Sequence, residues 1–257
     1  MPCPSSRQRV RRSATARCCL SMAARAWACH RCELVRFSYR VMMTMPTSPI
    51  HHPQGTVLLV GAQEPLADAV LQRLQHDGHD VMAIPGGDET ALQAALKDLT
   101  FDALVTVTPT ARANVAFDDI DDAAFEAAVD VQLLGVVRTA QAALPRLREG
   151  ARIVHVGSRG HQGAWGGVHQ MAASAGLVAM TRSMALELQP EGFFVNLVAS
   201  EFEHERQDTP HNREAVAHAV GMLASPHNRI TGQCLVIDGL ASLRMSEARR
   251  PPVTATN

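Results

Sequence analysis

Ala151-Arg-Ile-Val-His-Val-Gly-Ser158, the run from Gln170 to Leu188, and Phe194-Val-Asn-Leu-Val198 together decide the fold. The first and last segments are short, apolar and rich in β-branched residues, whereas the middle one keeps apolar residues at helical spacing for about five turns. A strand (Arg152 to Val156), a helix and a second strand in this order specify a parallel pair joined by a right-handed crossover. The alternation continues outward on both sides. Upstream, Thr56-Val-Leu-Leu-Val60 reads as a strand closed by Gly61, and Pro65 to His76 as a helix ended by Gly78. Asp80 to Ile84 is a strand broken by Pro85-Gly86-Gly87, Glu89 to Leu99 a helix, and Ala103 to Thr108 a strand. Asp121-Asp122 cap a helical pattern through Phe125, Val129, Leu133, Val136, Ala140 and Leu144 up to Gly150. Downstream, Arg213 to Leu223 reads as a helix and Cys234 to Ile237 as a closing strand. The expected architecture is an α/β, doubly wound, mostly parallel Rossmann-like sheet.

Composition narrows the function classes. A chain of 257 residues, 46% hydrophobic and 19% charged, suits one sizeable globular domain. The net charge of -1 hides an asymmetry, because residues 1–45 hold nine arginines against the single acid Glu33. The remainder is therefore acidic and has no basic stripe for nucleic acid. Five of the six cysteines (Cys3, Cys18, Cys19, Cys29 and Cys32) lie in that leader, so no disulfide framework supports the domain. Cys29-His-Arg-Cys32 supplies half a zinc site, and no second pair follows it, so no metal is expected. The apolar run from Cys18 to Cys29 is too short and too interrupted by Arg25 to span a bilayer. Residues 1–45 are read as a disordered or spurious leader, 46–240 as the domain and 241–257 as a flexible tail. The expected compartment is the cytoplasm.

From Thr56 to Leu240 the chain resembles the short-chain dehydrogenase/reductase family, especially its ketoacyl reductase-like members. The segment ending in Ser158 is similar to the family strand that ends in a catalytic serine. Ala173 to Leu188 resembles its long helix, and Ile230-Thr-Gly-Gln-Cys-Leu-Val-Ile-Asp-Gly239 its closing strand. The resemblance implies a tyrosine that exchanges the substrate proton, a lysine that lowers its pKa, a carbonyl-positioning serine and an asparagine in a water relay. The corresponding positions hold Met171, Ala175, Ser158 and Gln132. The only tyrosine is Tyr39 and the only lysine Lys97, so no realignment recovers the pair. A thioether and a methyl group exchange no proton, and a serine without a base is a hydrogen-bonding group rather than a nucleophile.

The cofactor positions are altered as well. Where the family carries a glycine-rich turn that admits a pyrophosphate, this chain reads Val60-Gly61-Ala62-Gln63-Glu64-Pro65-Leu66-Ala67. Pro65 removes an amide donor and Glu64 adds a negative charge. Gly61, Ala62, Leu66 and Thr106 are the residues the resemblance leaves for a cofactor, which would be NAD or NADP if any. Ile84-Pro85 stands where the family has a ribose-binding acid or a phosphate-binding arginine, Thr106-Val-Thr-Pro109 replaces Asn-Asn-Ala-Gly, and Ser200-Glu201 replaces Pro-Gly. About twenty residues between Ile84 and the third strand imply that one family edge strand is missing.

Two readings follow. The first is a protein that has lost hydride transfer, binds no nicotinamide cofactor and acts as a binding or partner subunit. It would be a homodimer, or a heteromer with a family relative, joined through helices 130–148 and 170–188, with no nucleic-acid or membrane partner. The second is an atypical NAD(P)-dependent oxidoreductase acting on a small carbonyl or hydroxyl compound, using Ser158, Gln132 and a histidine, His161 or His169, from the glycine-rich loop. Trp165 in that loop reads as a pocket wall or interface anchor, and His155 as a packed strand residue.

Overall fold

The computed structural model describes residues 55–239 apart from 62, 64, 110–114, 165 and 201–208. Ala62, Glu64, Trp165, Glu201, the leader and the tail therefore lie outside the described residues. The chain divides into two units, Met1–Ile50 and His51–Asn257, and every described residue belongs to the second. Six strands form one sheet: β1 (Thr56–Val60), β2 (Asp80–Ile84), β3 (Phe101–Val107), β4 (Leu147–Ser158), β5 (Phe194–Ser200) and β6 (Cys234–Ile237). Their order is β2-β1-β3-β4-β5-β6, and every neighbouring pair is parallel. The helices are α1 (Pro65–His76), α2 (Glu89–Asp98), α3 (Asp122–Val129), α4 (Gly135–Ala143), α5 (Val168–Glu187) and α6 (Pro210–Ala224). The architecture is a Rossmann-like doubly wound sheet, with its direction of growth reversing between β1 and β3. Only α2 separates β2 from β3, so β2 is the edge strand among the described residues and the additional strand implied by the resemblance is absent there.

Alternation along β1 shows how the layers form. Val57 and Leu59 face one side and pack with Leu66, Val70 and Leu74 of α1 and with Val216 and Val220 of α6. Leu58 and Val60 face the other side, with Leu92 and Leu96 of α2 and Ala140 of α4. A strand buried on both faces reads as the continuous apolar run seen in the sequence. Side-chain caps fix several helix starts: Asp88 accepts from the Ala91 amide at 2.8 Å, Asp121 from Ala124 at 2.7 Å and Thr209 from Asn212 at 3.2 Å.

Several expected elements differ from those observed: α6 begins at Pro210 rather than Arg213, β3 runs Phe101–Val107 rather than from Ala103 to Thr108, and both long helices differ as well. The helix expected over 130–148 is interrupted by a π turn at Asp130–Leu134, ends at Ala143, and passes through a 3-10 turn, Leu144–Arg146, into β4. Pro145 starts that tight turn, and Gly150 takes a φ of 74° within the strand that follows. Consequently β4 begins at Leu147 rather than near Arg152. The helix expected over 170–188 is α5, shifted by one or two residues at its ends. No helix among the described residues is long and apolar enough to cross a membrane.

Candidate functional site

At the carboxyl ends of β1, β2 and β3 lies a crevice of about 390 Å³, covered on one side by the π turn and α4. Such a position, where the strand order reverses, is where doubly wound sheets bind ligands. Val60, Leu92, Val131 and Val136 supply apolar wall, and Thr106 and Thr108 lie at its base. Both hydroxyls are already engaged: Thr106 Oγ1 with His155 Nδ1 at 2.8 Å, and Thr108 Oγ1 with the Val156 carbonyl at 3.0 Å. The rim carries Asp88, Glu89 and Asp130 against Arg138. Arg138 donates to Asp130 at 2.6 Å.

The glycine turn after β1 is built tightly into the sheet. Gly61 has a φ of 108°, and a Cβ there would lie 2.2 Å from the Val107 carbonyl oxygen. Its amide donates to the Ile84 carbonyl at 2.9 Å. Gln63 then reaches the turn after β2, accepting from the Gly86 amide at 2.7 Å and approaching the Gly86 carbonyl through Nε2 at 3.4 Å. This clasp joins the β1–α1 and β2–α2 turns at the side of the crevice. Leu66, in the first turn of α1, is buried in the core and is not part of the crevice lining. Of the residues expected to face a cofactor, Thr106 alone lines the crevice among those described; Gly61 lies next to it in the turn.

Ser158 ends β4, two strands and about 10 Å across the sheet from β1. Its hydroxyl oxygen accepts from the Gly160 amide at 3.0 Å, capping the short turn Arg159–Gln162. Met171 of α5 lies over that turn, since a Cβ on Gly160 would come within 2.7 Å of the Met171 Sδ and Cε atoms. Ala175, one turn further on, is exposed. The two positions of the expected acid–base pair thus hold a packed thioether and a bare methyl group. Gln132 is buried within the π turn. π turns often mark functional positions, but this one left no trace in the spacing of residues.

Of the two histidines read as belonging to the glycine-rich loop, the structure places His169 in a helix and keeps His161 in a turn. His169 belongs to the first turn of α5 on its sheet-facing side, and is buried with Nδ1 unpartnered among the described residues. The cause is Gly167, whose φ of 67° turns the chain into the helix two residues earlier than expected. His161 is half-buried in the short turn, with Nε2 at 3.9 Å from Cys234 Sγ of β6. Burial pushes its pKa down; the Ser158 main chain opposes this, while Arg182 and Arg159 add to it. Burial also pushes the Cys234 thiol up, with Arg182 opposing. Both shifts favour the neutral forms, so this is a thiol beside an imidazole rather than an activated thiolate. His155, directly opposite Thr106 in the β3–β4 register, is fully buried as expected of a packed strand residue.

Comparison with known proteins agrees with this fold. A family model described as enoyl-(acyl carrier protein) reductase matches residues 51–206. The 3-oxoacyl-[acyl-carrier-protein] reductase FabG of Vibrio harveyi is 29% identical over 212 residues, covering 72% of this chain and 86% of the relative. The rat 3-oxoacyl-[acyl-carrier-protein] reductase is 38% identical over 125 residues, so the match spans about half of that enzyme (52%) and 42% of this chain. A short-chain dehydrogenase/reductase from Serratia marcescens superposes with a TM-score of 0.63 at 24% identity, covering 73% of this chain and 98% of the other. A dehydrogenase/reductase from Sinorhizobium meliloti 1021 does so with a TM-score of 0.63 at 20% identity, covering 72% and 93%. The fold defines the class of doubly wound, Rossmann-like α/β sheets with a crevice at the switch point. Within that class, the chain belongs to the short-chain dehydrogenase/reductase family.

Proposed function

We propose that this protein is a family member that has given up hydride transfer and serves as a binding or partner subunit. The observation that carries the reading is Met171 packed onto Gly160, with Ala175 exposed one turn away. Neither side chain exchanges a proton near neutral pH, and the neighbouring Ser158 is a turn cap. The residues at the crevice do not fit a dinucleotide. Pro65 offers no amide at the start of α1, the Gln63–Gly86 clasp ties the phosphate turn to the end of β2, and the rim carries an excess of carboxylates.

A partner role is supported by apolar residues left on the surface of α3 and the π turn. Phe125, Val131 and Leu134 are 40%, 51% and 43% exposed. Together with the small residues Ala172, Ala175 and Ala179 of α5, they offer a face for a second copy or a family relative.

The purified chain is titrated with NADH and NADPH by calorimetry, and its oxidation of both is followed with small ketones and aldehydes. We expect neither saturable binding nor turnover. Turnover abolished by Ser158→Ala would overturn the reading in favour of the atypical oxidoreductase that uses Ser158, Gln132 and a histidine.

A further inference from the structure

We propose that the crevice between β1, β2, β3 and α4 binds a ring-bearing ammonium compound of about nucleoside size and turns phosphorylated ligands away. This rests on the reading that no dinucleotide is held there. The volume, about 390 Å³, is at the small end of ligand sites and suits a single ring system with a short substituent. Val60, Leu92, Val131 and Val136 give such a ring apolar walls.

Charge decides which substituent it bears. Asp88, Glu89 and Asp130 line the crevice with Arg138 as the only cation among the described residues, and Arg138 is paired with Asp130. The Asp88 and Glu89 carboxylates have no cationic partner among the described residues: Asp88 accepts from the Ala91 amide, and Glu89 from Gln93 Nε2 at 2.8 Å. Both stand at the amino end of α2, where a helix otherwise offers its positive pole and free amides to an anion. Here that pole is already answered by the helix's own acids. A phosphate would meet two carboxylates there, whereas an ammonium group would meet two acceptors. The threonine hydroxyls at the base, engaged by His155 and Val156, leave the rim as the main polar anchor.

Tryptamine and indole-3-acetate share a ring system and carry opposite charges, so they isolate this term. Calorimetry on the full chain should give tryptamine at least about tenfold tighter binding than indole-3-acetate, with ADP and NADH weaker still. The preference should fall to within about twofold in the Asp88→Asn/Glu89→Gln variant, which keeps a side-chain cap on α2 and whose folding is checked by circular dichroism. Equal affinities, a preference that survives in the variant, ADP binding tighter than tryptamine, or no binding of any probe would each overturn the proposal. NADH binding with turnover would remove the proposed function as well; failure of tryptamine with NADH also inert would remove this inference alone.

Discussion

Acid should destabilise this protein through one buried imidazole. His155 lies wholly inside the sheet, its Nδ1 engaged by Thr106 Oγ1 at 2.8 Å and its Nε2 unpartnered among the described residues. Burial lowers its pKa from the ordinary 6.5 to about 4. Above pH 6.5 the ring is neutral in both folded and unfolded chains and adds no pH dependence. Below it the unfolded chain takes up a proton that the folded one refuses, so stability falls with pH until the folded ring itself titrates near 4. The loss is about 2 kcal/mol at pH 5 and about 3 kcal/mol at pH 4. Against a typical domain stability of about 5–15 kcal/mol that is a large share. With a urea slope of about 2 kcal/mol/M, the unfolding midpoint should drop by about 1 M between pH 7 and pH 5 from this group alone. His155→Asn keeps a group able to reach Thr106 and removes the titration. Its smaller side chain imposes a constant offset at every pH. Urea unfolding of both proteins from pH 7.5 to 4.5 should therefore give curves that converge as the pH falls. Parallel curves would refute the reasoning.

Other expectations follow from particular contacts. Gly61→Ala places a methyl group against the Val107 carbonyl at a positive φ and should cost about 3 kcal/mol or more, seen as a fall of about 10 °C in thermal melting. Met171→Tyr combined with Ala175→Lys should restore no NADPH oxidation with small ketones, because the clasp and the acidic rim remain; measurable turnover would show that the dyad alone had been limiting. Phe125→Glu with Leu134→Glu should yield a monomer in sedimentation analysis if the apolar face of α3 and the π turn joins two copies, with the melting temperature of the isolated fold little changed.

The fold was legible because most of its elements carry their own punctuation. β1, α1, β2 and β6 run between the residues that pattern and breakers marked for them, since Gly61, Gly78 and Pro85 stop the chain where helix or strand would otherwise continue. The start of β4 was not legible. Leu144-Pro-Arg-Leu147 keeps the apolar spacing of the preceding helix, and only pairing of Leu147 with Phe101 makes that end a strand. At the candidate site, Met171 and Ala175 could be read directly, because chemistry absent from a side chain is visible in its name. The Gln63–Gly86 clasp could not be read, since it depends on how two turns far apart in sequence meet. His161 beside Cys234 likewise joins residues 73 positions apart, and no local pattern announces it.

The π turn at Asp130–Leu134 gives the helical stretch one residue of slack. Its closing bond runs from the Gly135 amide to the Asp130 carbonyl, five residues back, so the backbone holds one more residue than an α-helix of the same rise would. Deleting a single residue from this turn would let the stretch relax to ordinary pitch while α3 and α4 keep the faces they present to the sheet and to α5. The same deletion within α5, which runs without interruption from Val168 to Glu187, would turn every later side chain by about 100°. Two helices that look alike in the sequence therefore differ in how they tolerate a change of length.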